Sequence, residues 1–388
     1  MESTLRRTWA EIDLDAMAHN YKVLCGRMGA QTQFLGVVKA DAYGHGAVQI
    51  SRVLEELGAA YLAVSSVDEA RELRSAGAAL PVLQLGLTPA EQTEQLLAGH
   101  ITQTVWSERA ALAFSREAER LGGRLRVHIK LDTGMSRLGF LCTEEELASS
   151  AEAICRVCAL PGLEPEGIFT HFSVSDEGSS DSRAYTLLQH QRFQAMLDAL
   201  EARGVRFALR HCANSGAAAN YPQFGYDLFR PGILSYGIGD GAAELGLRPV
   251  MALKTVVGEV RDLPPGASVS YGRTYRASSS IRVGVLPIGY ADGLHRTLSN
   301  RWRVWTPWGF APILGRICMD MTMVDLTALP QVTPGSEVEV YGPHNSVNDA
   351  ARLAQTISYE LTCAVSKRVP RIYRRNGREC ARELLLRE

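Results

Sequence analysis

A lysine at the end of an apolar run is the first residue of this sequence that could do chemistry. The run FLGVV, residues 34–38, has the length and β-branching of a buried strand, and Lys39 follows it directly. Glycines in the next stretch, DAYGHG at 41–46, let the backbone approach a bound group closely. A partly desolvated lysine has a lowered pKa and can attack carbonyl groups. The stretch predicts Schiff-base chemistry, against the common alternative of a strand-end lysine that reaches solvent.

A second cluster of charge lies at KLDTGMSR, residues 130–137, with two cations and one acid. Arg137 has the planar fork that holds a carboxylate through two hydrogen bonds. Lys130 would alternate inward with His128, so its charge would be costly beside Arg137. Either Asp132 screens this lysine, or the lysine is chemically modified. The alternative function of the cluster is a salt-bridge network that closes the protein core.

Two further turns carry groups that suit an anion. Asn214 and Ser215 precede a run of small residues and can present a hydroxyl and backbone amides at a helix start, which is a phosphate-binding geometry. Arg230 and Gly232 in RPGI could also bind an anion, because the glycine brings the backbone close to a ligand. Each turn alone could be an ordinary capped turn. His171, after another strand, is predicted to orient a neighbouring group unless it is a satisfied core histidine.

Repeated βα units must position these residues. Short apolar runs alternate with helical patterns from residue 34 to about 239, which indicates a parallel sheet. Eight strands without a GxGxxG motif favour a (β/α)8 barrel of the TIM type, and the polar residues above fall at the carboxyl ends of its strands. The predicted strands are residues 34–38, 61–65, 81–86, 101–105, 125–131, 167–172, 208–212 and 227–230.

The last third of the chain has a different pattern. Short alternating runs separated by Gly and Pro predict a mainly β domain over 241–388 after a barrel domain over 1–240, and the first ten residues or so could join the β domain. Three loops set aromatic or polar residues among glycines, as functional loops do: VSYGRTY with Tyr271, PIGYADG with Tyr290, and ICMD with Met319. Core packing of Tyr271 and Tyr290 is the alternative.

Composition excludes several classes of protein. The 388 residues carry a formal net charge of -1, which gives no reason to expect nucleic acid or an anionic membrane as a partner. Neither a membrane-length apolar run nor a signal peptide is present, so a cytoplasmic location is expected. The eight scattered cysteines are interpreted as reduced thiols, and Cys155 and Cys158 form a CxxC without metal partners. The arginine-rich run 367–387 is interpreted as a solvated surface segment.

Taken in order, these motifs resemble those of the alanine racemases, a family of pyridoxal 5'-phosphate enzymes with a barrel and a β domain. The resemblance extends over essentially the whole chain. Its motifs are TWAEIDLDA, VVKADAYGHG, KLDTGMSRLG, THFS, CANS, RPGI, SYGRTY, PIGYADG, ICMD and the late SYE.

The resemblance implies a role for each matching residue. Lys39 would bind the cofactor covalently, Arg230 would face its pyridine nitrogen, and Lys130 matches a lysine that is often carbamylated in the family. A homodimer is implied, in which Tyr271 and Met319 reach the partner's site and Tyr271 acts as the second base, polarised by His171 through Arg230. The implied cofactor site is Lys39, Tyr43, Arg137, His171, Asn214, Ser215, Arg230, Gly232, Ile233 and Tyr359, and the implied substrate site is Arg137, Met319, Tyr271 and Tyr290.

The function expected from the resemblance is interconversion of L-alanine and D-alanine, which supplies D-alanine for peptidoglycan. A serine or broad-specificity racemase is the alternative within the same chemistry, although Tyr359 and Met319 should crowd the pocket. A decarboxylase of similar fold is disfavoured because it places an acid where Arg230 stands. A cofactor-binding protein without turnover is disfavoured by the β domain, which single-domain relatives lack.

Overall fold

Eight parallel strands form a barrel in the computed structural model, which describes residues 7–384. The two end strands are joined by backbone hydrogen bonds from Asp227 N to Arg210 O (3.0 Å) and from Arg230 N to Ala213 O (2.9 Å). A short strand, Phe140–Leu141, pairs beside the fifth barrel strand. In chain order the barrel strands are Gln33–Val37, Tyr61–Val64, Val82–Gln84, Ile101–Val105, Leu125–Asp132, Leu163–Phe169, Leu209–His211 and Leu228–Phe229.

The predicted barrel is confirmed, and the largest difference in a strand's position concerns its sixth strand. The strand begins at Leu163 instead of the predicted residue 167 and ends at Phe169 instead of 172. Glu164, Pro165 and Glu166 interrupt the apolar pattern, so the sequence hides this part of the strand. The carboxylate of Glu166 accepts hydrogen bonds inside the barrel from Tyr61 on the second strand and from His128 on the fifth, which explains a polar residue at this position.

Helices cover the barrel and carry the expected signals at their N-termini. Ser66 and Ser107 each accept a hydrogen bond at the third residue of the helix that follows, which satisfies one backbone donor left free at a helix start. The helices of the barrel region are Leu14–Arg27, Ala47–Glu56, Val67–Ser75, Thr93–Ala98, Glu108–Arg120, Leu147–Cys158, Ser180–Glu201 and Ser215–Asn220.

A seven-stranded sheet forms most of the β domain, and the first described strand of the chain lies inside it. Thr8–Asp13 pairs with Met251–Val256 on one side and with Arg371–Arg375 on the other. The full strand order is Gly309–Pro312, Arg303–Thr306, Glu337–Tyr341, Met251–Val256, Thr8–Asp13, Arg371–Arg375 and Arg378–Glu383. The predicted domain boundary at 240/241 stays a prediction.

Smaller elements complete the β domain and carry the loops of interest. A three-stranded sheet consists of Glu259–Leu263, Ile281–Leu286 and Thr322–Asp325, and a hairpin of Ser268–Val269 and Tyr275–Arg276 presents Tyr271 in its loop. Two helices, Val347–Ala354 and Ser358–Cys363, return the chain toward the barrel.

The prediction of a solvated segment over residues 367–387 is wrong for residues 371–373, which are buried, and its residues 385–387 lie outside the described part of the chain. Arg371 is 1% exposed and donates to the backbone oxygens of Val365, Ser366, Val369 and Gly44. These carbonyl oxygens accept hydrogen bonds from the guanidinium and so offset the free-energy cost of burying it. The sequence pattern does not reveal these contacts.

Over residues 7–384, no helix is long and apolar enough to cross a membrane. The same part of the chain shows no group of three His, Cys, Asp or Glu side chains that could hold a metal ion. All eight cysteines are free thiols, including Cys155 and Cys158 in one helix.

Candidate active site

A cavity of about 360 Å³ opens at the carboxyl ends of the barrel strands. Active sites of TIM barrels lie at this end of the fold. Eleven of the fourteen residues predicted for the site line this cavity: Lys39, Tyr43, Lys130, Arg137, His171, Asn214, Ser215, Arg230, Gly232, Ile233 and Tyr359. The other three, Tyr271, Tyr290 and Met319, lie on the β domain.

Lys39 is positioned by an unusual backbone segment. The sequence predicted a turn into a helix, but Lys39–Gly44 is a left-handed turn in which Ala40, Asp41, Ala42 and Tyr43 all have φ of 52 to 54°. L-residues avoid this region, so other contacts must hold the segment. Burial lowers the pKa of Lys39, and the positive charge of Arg137 lowers it further. The lysine is therefore more nucleophilic than one in water.

Lys130 is buried in the barrel, only 6% exposed, and its Nζ donates to Leu131 O at 2.7 Å. Burial, together with the charge of Arg230, lowers the pKa of this lysine to about 7, although Asp132 opposes the shift. Asp132 itself accepts from the backbone amides of Gly134 and Ser136, both at 3.0 Å. This carboxylate thus shapes the loop that leads to Arg137.

Arg230 lies against two imidazoles on the cavity floor. Its guanidinium donates to Thr170 O (2.8 Å), to His211 Nδ1 (2.8 Å) and to His171 Nδ1 (3.3 Å). Since a guanidinium only donates, both Nδ1 atoms must accept. Burial lowers the pKa of Arg230 to about 10, which leaves it charged at neutral pH. Burial and this charge hold the pKa of His171 well below its usual value, so its ring is neutral.

A chain of hydrogen bonds continues from Arg230 through the barrel interior. His211 Nε2 lies 2.9 Å from His128 Nδ1, and His128 Nε2 lies 3.1 Å from a carboxylate oxygen of Glu166. Because Arg230 fixes Nδ1 of His211 as an acceptor, each neutral ring must donate from Nε2 toward Glu166. Tyr61 donates to the same carboxylate at 2.5 Å. The donor and the acceptor of each hydrogen bond from Arg230 to Glu166 are therefore fixed.

The opposite end of the cavity suits a phosphate group. Ser215 begins a helix capped by Asn214, whose side chain accepts from Ala217 N at 3.0 Å, so backbone amides face the cavity. A Cβ at Gly232 would lie 2.6 Å from the Tyr43 hydroxyl, which means that the space depends on this glycine. Tyr359 packs 5.8 Å from Tyr43, measured between ring centroids.

The three residues on the β domain are exposed and do not line this chain's cavity. Tyr271 is 70% exposed, Met319 is 53% exposed and Tyr290 is 42% exposed. Core packing, the alternative for the two tyrosines, is therefore wrong. Large apolar side chains left in water at the tips of adjacent loops are typical of a contact surface.

Several residues of the site region were not predicted. Ser65 and Gly86 line the cavity at the ends of the second and third barrel strands, where the strand-end rule could have found them. Glu69 accepts hydrogen bonds from Ala40 N and Ser65 N, both at 2.7 Å. Glu166 gave no signal, because its partners Tyr61 and His128 are distant in sequence. Arg371 gave none, because it is one of several arginines in an otherwise polar run.

Comparison with known proteins agrees with this geometry. Residues 12–240 match the family described as alanine racemase, N-terminal domain, and residues 250–373 match the alanine racemase C-terminal domain. The chain belongs to the alanine racemase family. An alanine racemase of Clostridium perfringens is 43% identical over 385 residues, covering 97% of this chain and 98% of that protein. One from Methanococcus maripaludis is 40% identical over 373 residues, covering 94% and 98%.

Solved alanine racemases share the whole fold. The structure from Clostridium difficile superposes with a TM-score of 0.93 at 36% identity, covering 99% of this chain and 100% of that one. The Bacillus anthracis alanine racemase with bound L-Ala-P superposes with a TM-score of 0.89 at 31% identity, covering 98% of both chains. The likeness therefore includes both the barrel and the β domain.

Proposed function

We propose that this protein is an alanine racemase that interconverts L-alanine and D-alanine with pyridoxal 5'-phosphate. The observation that carries the proposal is the cavity, which combines a lysine of lowered pKa with a buried arginine and with the space that Gly232 leaves beside the Tyr43 hydroxyl. Four basic side chains line the cavity, and an anionic cofactor together with the carboxylate of the substrate would offset the repulsion between their charged forms.

The residues present fit this cofactor. Lys39 would bind its aldehyde, and the phosphate would be held by Tyr43, Ser215, Gly232, Ile233 and Tyr359, with Asn214 shaping the helix start. When bound, pyridoxal phosphate withdraws electrons from the substrate Cα–H bond. Arg230, fixed by His211 and His171, would face the pyridine nitrogen as a donor.

Racemisation needs a proton acceptor on each face of the substrate carbon. Lys39 Nζ supplies one from within the cavity, and we assign the second to the hydroxyl of the partner's Tyr271. Arg137 would bind the substrate carboxylate, and Lys130 would support Arg137, either as a neutral amine or as the carbamate. A lysine with a pKa near 7 has a large neutral fraction at physiological pH, which favours reaction with carbon dioxide.

A homodimer would complete the site, because Tyr271 and Met319 are exposed instead of lining their own chain's cavity. Tyr290, on the neighbouring loop, would border the same substrate region. We further infer a cytoplasmic enzyme that supplies D-alanine for peptidoglycan. Eight free thiols suit a reducing compartment.

The first experiment gives the purified holoenzyme L-alanine, D-alanine and L-serine separately and follows the opposite enantiomer by chiral chromatography. We expect fast conversion of alanine in both directions and slow conversion of serine, because Tyr359, which lines the cavity, should crowd the larger side chain. Equal rates for the two amino acids would favour a broad-specificity racemase. Bound cofactor without turnover would contradict the proposed function.

A further inference from the structure

The carboxylate of Glu69 connects the segment after Lys39 to the neighbouring barrel strand. Glu69 lies in the first turn of the helix Val67–Ser75. Its Oε1 accepts from Ala40 N at 2.7 Å, and its Oε2 accepts from Ser65 N at 2.7 Å. Hydrogen bonds from amides to an ionised carboxylate are stronger than those between neutral groups. The carboxylate therefore forms a bridge between the ends of two barrel strands, with one oxygen bound to each.

The bridge stabilises the backbone segment after Lys39, whose conformation is unfavourable for the residues that adopt it. Ala40 has φ of 52° and begins four successive non-glycine residues in the left-handed region. Such residues persist only where surrounding contacts over-determine them. Arg371 holds the far end of the turn by donating to Gly44 O at 3.1 Å, and Glu69 holds the end that adjoins Lys39.

Glu69 also acts on Lys39 through charge. Burial and the nearby Arg137 and Arg230 lower the pKa of Lys39, whereas Glu69 and the Cys363 thiol oppose that shift. His171 faces the same group of cations as a neutral ring. Among these neighbours Glu69 is the carboxylate, so removing its charge should make the lysine harder to protonate.

We propose that Glu69 is a positioning residue for Lys39, which holds the left-handed turn that aims this lysine into the cavity. The inference rests on the proposed role of Lys39 as the cofactor-binding lysine. The negative charge of Glu69 would also raise the pH at which the Lys39 amine loses its proton. It touches neither cofactor nor substrate and acts through the backbone and through its charge.

The test uses Glu69→Gln, with Asp68→Asn as the matched control. Asp68 lies in the same first turn and its side chain is 86% exposed, so its replacement changes the net charge equally without touching either amide. Full-length protein is freed of cofactor, pyridoxal phosphate is added at a series of pH values, and borohydride traps the product. Peptide mass spectrometry then gives the rate of labelling at Lys39.

We expect Glu69→Gln to slow labelling at Lys39 at least about tenfold at the high-pH plateau, where the amine is neutral in both proteins; this is the size expected for one charge-assisted hydrogen bond. Its pH midpoint should fall by about 0.5 unit or more, because a nearby negative charge is lost. Asp68→Asn should match the parent in both. Labelling of Glu69→Gln at the parent rate and midpoint would overturn the inference.

Two further variants separate conformation from charge. Adding Ala40→Gly to Glu69→Gln should restore much of the rate, since glycine accepts the left-handed backbone, but should leave the midpoint low. Glu69→Asp keeps the charge but is too short to span both amides, so it should slow labelling at the parent midpoint. If Glu69→Gln fails to fold, a parent-like rate in Glu69→Asp would overturn the inference. Labelling of another lysine in the parent would instead refute the proposed role of Lys39.

Discussion

At the scale of single residues, burial is the largest cause of the pKa shifts in the site. It lowers the pKa values of Lys39, Lys130, His171 and Arg230, and neighbouring cations lower each of them further. The consequence differs with the residue type. The lysines gain neutral fraction and nucleophilicity, the histidine stays neutral, and the arginine remains charged as a donor.

The same effect at His45 predicts a loss of stability in acid. The ring is 0% exposed, its Nδ1 lies 3.0 Å from the carbonyl oxygens of Ala42 and Tyr43, and burial lowers its pKa to about 4. Below pH 6.5 the unfolded chain binds a proton that the folded chain refuses. The free energy of unfolding should therefore fall by about 3 kcal/mol between pH 7 and pH 4 from this residue alone.

Urea unfolding of the parent and of His45→Asn at pH 7 and pH 4 measures this contribution. Asparagine can still donate toward the two carbonyls but does not titrate. The parent should lose about 3 kcal/mol more than the variant across this range. Parallel losses in the two proteins would show that His45 is not the titrating group.

At the scale of elements, the site depends on three segments that meet at one glycine. The left-handed turn supplies Tyr43, the helix Ser215–Asn220 supplies Ser215, and the short helical turn Ile233–Tyr236 follows Gly232. Gly232 is needed for space, because a Cβ there would lie 2.6 Å from the Tyr43 hydroxyl.

Gly232→Ala is therefore expected to weaken cofactor binding without unfolding the protein. The added methyl group should displace the phosphate from the hydroxyls of Tyr43 and Ser215, with a loss of affinity of at least about tenfold. Absorbance titration of the cofactor-free protein with pyridoxal phosphate measures the Kd. Gly178→Ala is the control, since a Cβ there meets nothing within 4 Å. Equal affinities of both variants and the parent would contradict this view of the space at Gly232.

At the scale of the whole molecule, one chain does not carry a complete set of proposed catalytic groups in one place. The barrel gathers the cofactor-binding residues, while Tyr271 is 70% exposed on the β domain of the same chain. A pair of chains related by a two-fold axis exchanges the same residues in both directions. Two equivalent sites would then form together or not at all.

Mixed dimers test this arrangement. Lys39→Ala and Tyr271→Phe should each be nearly inactive, but refolding them together should restore about a quarter of the wild-type activity, because half of the dimers are mixed and each has one intact site. Lys39→Ala mixed with Arg137→Ala is the control. Both of these residues line the same chain's cavity, so no intact site can form. Recovery in the control, or none in the test pair, would argue against a shared site.

The sequence by itself determined the architecture and most of the cavity lining. Apolar runs alternating with helical patterns predicted the barrel, because the two periodicities are local properties of the chain. Residues such as Lys39, Ser215 and Arg230 could be assigned to one end of the barrel because parallel strands bring their carboxyl ends together. The short turn motifs that contain them are likewise local.

Only the tertiary structure decided the features that depend on partners distant in the chain. Ile12 pairs with Tyr373, and Arg371 binds Gly44 O, across more than 300 residues. Four residues of the left-handed turn, Ala40 to Tyr43, are not glycine, so contacts with distant residues such as Glu69 and Arg371 must support their conformation. The direction of the hydrogen bonds from Arg230 to Glu166 is fixed because four side chains from different strands and strand ends meet inside the barrel. Local pattern cannot encode such contacts, since each partner alone resembles an ordinary polar residue.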